Sequence, residues 1–414
     1  MKKMFLILLV LMLCLANTGC AKKASEILFW TFHANEEGAW MQSLVDEYAK
    51  VNPNVKIKLE FIPQAEYMNG TALTSAFAAN SGPDIYLMSP GDFLKYVNSG
   101  LALDLTPYYT QAILDDFMAT SIQAVTVNDK IYAVPFEIEL LGLYYDKDVL
   151  DEAGVAVPKT WDEMIDATRK LTTPTRPGLA LPTEQGYYQN FVWYPFLWAN
   201  NAEVLDVNTK KGVFEGARVE QSLKIWGDLV KAGAAAKLPR PPTDALIGDG
   251  TVPMQVVGTW LIGTLEREYA DKNIQLAPIP VPSGGRAATD AGGWKFMVNA
   301  KTKYKDEAAK FVMWALAENI EKPLEWCTKV KFAYSPRKSV VAAGQSIYSQ
   351  GLRKVFTEDI YSSAIPEPRY PAEIVNAVGE ALQAVMFGNA DPAAAAARAN
   401  EKINAYISTY QGSL

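Results

Sequence analysis

The sequence predicts an α/β protein with two domains and a chain that crosses between them more than once. Segments typical of strands and of helices alternate over residues 27–88, as in a parallel sheet covered by helices. The 414 residues exceed the size at which one hydrophobic core keeps growing, so two domains are expected. No long polar linker separates them. Two domains that are not joined by one long linker imply that the chain crosses between them several times. The crossing segments together would form a hinge.

The first strand and the first helix are indicated by two apolar patterns. Residues 27–30 form a continuous apolar run, which is typical of a strand buried on both faces. Trp40, Leu44 and Tyr48 then recur on one face at helical spacing, and Pro53 ends that helix. The two patterns therefore predict a strand followed by an amphipathic helix.

The next three elements extend the same layer. Residues 55–61 alternate between apolar and charged side chains, which predicts a strand with one wetter face. A helix over 67–80 and a third strand over 85–88 follow. Ligands collect at the carboxyl ends of the strands in an open parallel sheet. The loops 31–35 and 89–92 are therefore candidate ligand loops.

Strand-like and helix-like segments continue through the rest of the chain. Thr160 and Glu163 form a capping box that predicts the start of a helix, and Asp391-Pro392 predicts the start of the last one. Residues 146–154 are expected to form a turn. The further expected strands are 130–135, 140–145, 254–257 and 294–298, and the further expected helices are 161–171, 217–231, 261–269, 306–319 and the stretch from 371 to the end.

The N-terminus has the features of an export signal. Lys2 and Lys3 precede an apolar run over 4–15 that is too short for a permanent membrane-spanning helix. The small residues before Cys20 resemble a bacterial lipoprotein signal, which implies a signal peptide over 1–19 and acylation of Cys20. Ordinary cleavage without acylation stays open, because Asn17 stands where such signals usually have leucine. Either outcome places the mature chain outside the cytoplasm.

Cysteine content and charge narrow the possible partners. If Cys14 leaves with the signal and Cys20 carries lipid, Cys327 has no disulfide partner and is expected to be a buried apolar residue. Removal of residues 1–19 would also remove two lysines and change the formal net charge from −7 to −9. An acidic exported chain is not expected to bind nucleic acid or anionic lipid.

The residue types leave little room for catalysis. His33 is the single histidine, so neither a histidine-rich metal site nor a Cys–His pair is supported. The chain has no phosphate-binding glycine motif and no serine nucleophile elbow. Glu137 and Glu139 would share one face of a strand about 7 Å apart, whereas glycosidases draw their carboxylates from opposite sides of the bond. The sequence therefore predicts no enzyme activity, no metal and no cofactor, with a carbohydrate-active enzyme as the less favoured alternative.

Aromatic side chains are abundant and indicate a carbohydrate ligand. The chain has ten tryptophans and twenty tyrosines. Sugar rings stack a C–H face on indole rings, and their hydroxyls require carboxylate or amide partners. One group stands beside predicted loops, and another lies within helical patterns and is expected in the core. The loop group is Trp30, Trp193, Tyr194, Trp260 and Trp294, and the helical group is Trp40, Trp161, Trp226, Trp314 and Trp326. Trp260 stands two residues after Gly258 and Trp294 directly after Gly293. For both tryptophans, core and cleft positions are equally open.

An ordered set of short motifs runs through nearly all of the mature chain. The motifs are Phe-Trp (29–30), Ser-Gly-Pro-Asp-Ile-Tyr (81–86), Ser-Gly-Leu-Ala-Leu-Asp-Leu-Thr-Pro (99–107), Tyr-Ala-Val-Pro (132–135), Leu-Tyr-Tyr-Asp-Lys-Asp (143–148), Pro-Lys-Thr-Trp-Asp-Glu (158–163), Gly-Thr-Val-Pro-Met (250–254), Gly-Thr-Trp (258–260) and Ala-Ala-Lys-Phe (308–311). Each motif alone is weak, but the ordered set is specific. It resembles the extracellular solute-binding proteins of sugar ABC importers, the family that includes maltose-binding protein.

The resemblance implies an α/β, two-lobed fold of the periplasmic-binding-protein type. Each lobe would be a mainly parallel sheet flanked by helices, with the ligand clamped between the lobes and a hinge of several segments. The implied N-lobe comprises 20–137 with 290–336, and the implied C-lobe comprises 138–289 with 337–414. The crossings are expected near 137–141, 282–290 and 336–343.

The resemblance also implies positions for the ligand site. Glu139 matches a hinge-proximal glutamate that accepts sugar hydroxyls in the family, Trp260 matches a stacking tryptophan, and Trp294 falls at another cleft position. The loop after the third strand departs from maltose-binding protein and offers Ser89 and Asp92 as polar residues. The expected ligand-binding set is Trp30, His33, Ser89, Asp92, Glu139, Phe191, Trp260 and Trp294.

These features predict a lipid-anchored, monomeric importer subunit that works outside the cytoplasm. It would capture a di- or oligosaccharide and deliver it to the permease subunits of an ABC transporter, without covalent chemistry. A non-sugar solute such as glycerol phosphate is the alternative within the same class. Such a ligand would require a basic cleft, for which Lys295 and Arg337 are the candidates.

Overall fold

The computed structural model describes residues 25–68, 70–241 and 243–414. The expected signal peptide and Cys20 lie outside the described residues. Within the described part of the chain, no helix combines the length and the apolar character needed to cross a bilayer.

Strands and helices are interspersed along the chain. Up to residue 152 they are β1 (Ser25–Thr31), α1 (Asn35–Val51), β2 (Val55–Phe61), α2 (Gln64–Met68), α3 (Thr71–Ala78), β3 (Ile85–Met88), α4 (Pro90–Asn98), α5 (Gln111–Asp116), α6 (Ala119–Gln123), β4 (Thr126–Val127), β5 (Lys130–Ile131), β6 (Val134–Pro135), β7 (Leu141–Asp146) and α7 (Lys147–Glu152). From there to residue 277 they are α8 (Trp161–Leu171), α9 (Tyr187–Ala199), β8 (Leu205–Asp206), β9 (Lys211–Gly212), α10 (Ala217–Ala232), β10 (Met254–Gly258), α11 (Leu261–Glu268) and β11 (Ile274–Ala277). The remaining elements are β12 (Thr289–Ala291), β13 (Lys295–Val298), α12 (Lys305–Met313), α13 (Glu321–Glu325), α14 (Lys338–Tyr348), α15 (Gly351–Val355), β14 (Ala364–Pro366), α16 (Ala372–Met386) and α17 (Pro392–Ile407).

The first lobe is built on a five-stranded sheet with the order β2-β1-β3-β13-β6. β1 runs parallel to both β2 and β3, and β13 runs antiparallel to β3 and β6. The three parallel strands match the strands predicted over 27–30, 55–61 and 85–88. The mainly parallel sheet expected for this lobe is therefore confirmed.

The second lobe differs from the expected mainly parallel sheet. Its central strand β7 pairs with β10 and β11, and both neighbours run antiparallel to it. A parallel bridge from Ala180 to Gln255 extends the sheet beyond β10. The parallel sheet was expected from the family resemblance, and the local sequence could not correct it. Residues 141–144 are buried throughout, and a continuous apolar run does not indicate the direction of the neighbouring strands.

Buried side chains divide the chain in the same way as the sheets. The core of the first lobe comes from residues 27–136 and 296–327. The core of the second lobe comes from residues 140–288 and 332–407. This division assigns Phe332 and Tyr334 to the second core, a few residues before the expected boundary at 336.

Three segments come together where the chain crosses between the lobes. Ile138 forms a β-bridge with Tyr334, and Glu139 forms one with Gly292. The first crossing lies where it was expected. The other two differ from the expected ranges, because Gly292 follows 282–290 and Tyr334 precedes 336–343. Residues 338–348 form α14 instead, so the proline at 336 marks the start of a helix rather than a crossing.

Local sequence signals predicted some helix starts correctly and missed other helix boundaries. The capping box of Thr160 and Glu163 is present, and the Asp391 carboxylate accepts from the Ala394 N–H at the start of α17. The expected turn over 146–154 contains the six-residue helix α7, whose cap is Asp146. The expected helix over 67–80 is broken at Gly70, which has a φ of 68°. Short helices such as α7 escape prediction because two turns are too few to establish a helical period.

Candidate functional site

A cavity of about 240 Å³ lies between the two lobes. Its lining comes from both lobes and from the segments near the crossings. From the first lobe it is lined by Phe32, His33, Glu37, Gln64, Ser89, Pro90 and Trp294, and from the second lobe by Tyr187, Tyr188, Phe191, Thr243, Asp244 and Trp260. Near the crossings it is lined by Glu139, Gly293, Lys331 and Glu367.

Most of the expected ligand set meets in this cavity. His33, Ser89, Glu139, Phe191, Trp260 and Trp294 all line it. The candidate loops 31–35 and 89–92 also reach it, because they follow β1 and β3 at the carboxyl edge of the first sheet. Trp260 and Trp294, for which core and cleft positions were equally open, are both half-buried in the cavity wall.

Trp30 lies outside the cavity, which corrects its expected position. Phe29 is fully buried in the core, so the next side chain along β1 points to the opposite face of the sheet. There the Trp30 indole N–H donates to Glu60 Oε2 at 2.9 Å across the pair of β1 and β2. Adjacency to a candidate loop was therefore a misleading signal.

Asp92 also lies outside the lining, one turn into α4. It faces the second lobe instead, where it accepts a hydrogen bond from the Tyr187 hydroxyl at 3.4 Å. Burial raises the pKa of Asp92 above its usual value. Its position at the edge of the cavity, rather than inside it, follows from the helix that begins at Pro90 and turns the side chain away.

Aromatic rings from opposite lobes face the cavity. On the first lobe, Phe32 and Trp294 have ring centroids 4.5 Å apart. On the second lobe, Phe191 and Trp260 lie 6.4 Å apart, with Tyr188 at 6.3 Å from both of them. The Trp260 indole N–H donates to the Thr243 carbonyl at 3.3 Å, which fixes the ring. These two groups can contact both faces of a bound ring system.

The other tryptophans mostly serve the cores, as the helical patterns indicated. Trp40, Trp161, Trp226 and Trp326 are buried. Trp314 is half-buried against the first core. Trp193 and Tyr194, which stand in the loop group of the sequence, are also buried in the second core because they lie in α9. The helix α9 was not predicted from the sequence, and for that reason Trp193 and Tyr194 were placed beside a loop.

A buried ion cluster lies beside the crossing at Glu139. The Lys331 ammonium lies 2.5 Å from Glu139 Oε1 and 2.9 Å from Glu137 Oε1. The indole N–H of Trp326 donates to Glu137 Oε2 at 2.6 Å. Glu137 does not line the cavity, whereas Glu139 and Lys331 do. One lysine therefore holds two carboxyl groups of the same crossing segment, and the Glu139 carboxyl group is presented to the cavity.

Burial is the main cause of the raised pKa of Glu139. Desolvation raises the pKa of this carboxyl to about 8, since Lys331 offsets only part of the cost and Glu137 adds repulsion. Desolvation acts in the opposite direction on Lys331, but the charges of Glu137 and Glu139 outweigh it and raise the lysine pKa. Burial thus favours the protonated form of the Glu139 carboxyl group in the cavity wall.

His33 forms a second polar centre with Glu37. The imidazole Nδ1 pairs with Glu37 Oε2, and the ring is almost fully buried. Burial alone would raise the pKa of Glu37, but His33, Lys331 and Arg267 outweigh it and lower the value to about 2. The other ring nitrogen, Nε2, has no hydrogen-bond partner among the described residues. A buried polar nitrogen beside a cavity is a candidate contact for a ligand hydroxyl.

Sequence reasoning missed several lining residues. Tyr187 and Tyr188 follow Gly186 directly, so an aromatic pair after a loop glycine was an available signal. Glu367 lies between two prolines and carried no recognisable motif. Burial raises its pKa to about 7, with Lys295 opposing the shift.

Neither candidate for a basic cleft lines the cavity. Lys295 is buried behind it and donates to the Gly293 carbonyl. Arg337 pairs with Asp116 at 2.7 Å and donates to two backbone carbonyls. Among the described residues, histidine, cysteine and carboxylate side chains form no cluster suited to a metal ion.

Comparisons with known proteins agree with this geometry. Residues 34–321 match the family described as bacterial extracellular solute-binding protein. The maltotriose-binding protein of Pyrococcus abyssi is 25% identical over 296 residues, which are 70% of this chain and 62% of that protein, less than two thirds of its length. The galactooligosaccharide-binding protein of Bacillus subtilis is 25% identical over 404 residues, which are 95% of this chain and 92% of that protein.

A solved structure shows the same fold. The GacH receptor of Streptomyces glaucescens superimposes with a TM-score of 0.80 at 23% identity, over 93% of this chain and 99% of that one. The two-lobed fold is therefore confirmed, and the family match covers well over half of the sequence. The chain belongs to the bacterial extracellular solute-binding protein family.

Proposed function

We propose that this protein is the substrate-binding subunit of an ABC importer and captures a sugar between its two lobes. The observation that carries the proposal is the cavity in which Trp294 from the first lobe and Trp260 from the second lobe stand with Glu139 and His33. Indole faces bind the apolar side of a sugar ring, and the carboxylate and imidazole bind its hydroxyls. This combination serves binding without a bond being made or broken.

The relatives support the choice of ligand class. By name, the Pyrococcus protein binds maltotriose and the Bacillus protein binds galactooligosaccharides. The Streptomyces receptor was solved in complex with acarbose. A short saccharide is therefore the ligand that best fits both the aromatic lining and the relatives.

The acidic lining argues against an anionic solute. Glu37, Asp244 and Glu367 line the cavity beside Glu139, and Lys331 is already paired with two carboxylates. A phosphate group would meet more carboxylates than free cations there. Glycerol phosphate is therefore not favoured.

The carboxylate arrangement also argues against hydrolysis. Glu137 is buried behind the cavity with its oxygens occupied by Lys331 and Trp326. It cannot flank a glycosidic bond together with Glu139, as a glycosidase pair must. Glu139→Gln should weaken sugar binding and leave no lost turnover to measure. Hydrolysis by the wild type that vanishes in Glu139→Gln would overturn the binding role.

We also propose a location and an assembly state. The family is extracellular, and the N-terminal sequence supports an acyl anchor on Cys20 at the outer side of a membrane, with a monomeric body bound to permease subunits. Wild-type protein should sediment with membranes and carry acyl chains, whereas Cys20→Ala should lose processing or acylation. Cys327→Ala should behave as the wild type because Cys327 is buried. Wild type found wholly in the soluble exported fraction would contradict the anchor.

The ligand is identified with a sugar panel of malto-, galacto-, arabino- and mannooligosaccharides, from monosaccharide to pentasaccharide. Binding is read as a rise in melting temperature, because a ligand that binds only the folded state stabilises it. Glycerol phosphate is included as the competing solute, and the sugars are recovered to check for cleavage. At least one panel member should raise the melting temperature. A rise with glycerol phosphate alone would contradict the sugar assignment.

A further inference from the structure

Tyr187 reaches across one edge of the cavity from the second lobe to the first. Its hydroxyl donates to Asp92 Oδ1 at 3.4 Å. Its ring lies so close to Gly91 that a Cβ added there would be 2.6 Å from Tyr187 Cδ1. Tyr187 lines the cavity and is half-buried, whereas Gly91 and Asp92 do not line it. The Tyr187 ring therefore lies between the cavity and the buried Gly91 of α4, and it forms a wall at this edge of the cavity.

Gly91 provides the room for this contact. It lies in α4 and does not have a positive φ, so the backbone does not require glycine there. The three atoms nearest to an added Cβ all belong to the Tyr187 ring. The missing side chain thus allows a close approach between the lobes.

We propose that Tyr187, seated on Gly91, closes one end of the cavity and sets an upper limit on the length of the saccharide. The proposal rests on the proposed function and deepens it. A saccharide chain grows ring by ring, so a wall at one end determines how many rings fit, while the tryptophans hold the rings that enter. The cavity of about 240 Å³ falls below the ~300–1,000 Å³ of sites for drug-sized ligands. The ligand class is a mono- or disaccharide.

The length limit is tested with the best-binding series of the sugar panel. Calorimetry gives the affinity for each chain length, and the measured quantity is the ratio of pentasaccharide to disaccharide affinity. Wild type should favour the disaccharide. Tyr187→Ala removes the wall and should raise the ratio by about tenfold or more. Tyr187→Phe keeps the ring and loses only the hydroxyl, so its ratio should stay close to that of the wild type.

Gly91→Ala provides an independent test, including the case in which Tyr187→Ala does not fold. The new methyl group displaces the Tyr187 ring, so the ratio should rise in the wild-type background. It should not rise further in the Tyr187→Ala background, because the methyl group then meets no ring. Unchanged ratios in both single variants would overturn the length limit alone. Failure of every panel member to bind the wild type would overturn the proposed function and the length limit together.

Discussion

Lys331 and Glu139 are in buried contact, with 2.5 Å between Nζ and Oε1, beside the first crossing between the lobes. Lys331 lies where the chain crosses from Cys327 of the first core to Phe332 of the second, and Glu139 lies on the first crossing segment. The contact therefore joins two of the crossing segments. The same ammonium holds Glu137 at 2.9 Å. This cluster links the stability of the hinge to the polar wall of the cavity.

Replacing the lysine should destabilise the protein strongly. Lys331→Met leaves Glu137 and Glu139 buried without their cation, and removal of one partner of a buried pair costs about 3 to 5 kcal/mol. Urea unfolding measures the loss. Lys147→Met is the matched control, since Lys147 pairs with Asp151 on the surface and exposed pairs contribute about 0 to 1 kcal/mol. Equal losses in the two variants would contradict the structural role of the cluster.

Truncating either cavity tryptophan should weaken sugar binding. Trp260→Ala and Trp294→Ala each remove one stacking face, at a cost of about 1 to 3 kcal/mol by analogy with aromatic anchors in interfaces. That is roughly ten- to hundred-fold in affinity. Calorimetry with the sugar identified from the panel measures it. Trp314→Ala is the control, because Trp314 is half-buried outside the cavity. Unchanged affinity in a folded Trp260→Ala protein would show that the stacking role is wrong.

Stability should fall as pH rises from about 4.5 towards 8. Burial raises the pKa of Glu139 to about 8 and that of Glu367 to about 7, from a usual value of 4.5. In this range the folded state binds more protons than the unfolded state, so the free energy of unfolding decreases with pH. Glu139→Gln should reduce the slope, measured by urea unfolding at several pH values. Glu401→Gln, on an exposed face of α17, should keep it. A Glu139→Gln slope equal to that of the wild type would rule out the raised pKa.

Local sequence patterns were sufficient where the structure depends on neighbours in the chain. The apolar run at 27–30, the alternation over 55–61 and the capping box at Thr160 each reflect interactions within a few residues. All three are present in the fold. The resemblance to a known family predicted the two lobes and most of the cavity residues. Members of a family share contacts between distant residues, which the periodicity of one sequence does not reveal.

Contacts between distant residues could not be predicted from the sequence. Lys331 and Glu137 are separated by 194 positions and Tyr187 and Asp92 by 95, so no local pattern links them. The direction of β10 and β11 depends on how the chain returns to β7, which burial does not specify. For Trp30, by contrast, a local signal was present but was overlooked. Trp30 was expected in the cavity because it stands next to a loop, although the alternation of side chains along β1 turns it to the opposite face of the sheet.

Small-angle scattering with and without saturating sugar tests the central claim most directly. A ligand that contacts both lobes favours the closed arrangement, because its differential affinity shifts the population of conformations. The radius of gyration of the wild type should decrease with the sugar that raises the melting temperature, and should stay constant with a panel member that does not. An unchanged radius of gyration at saturation with the bound sugar would contradict capture between the lobes.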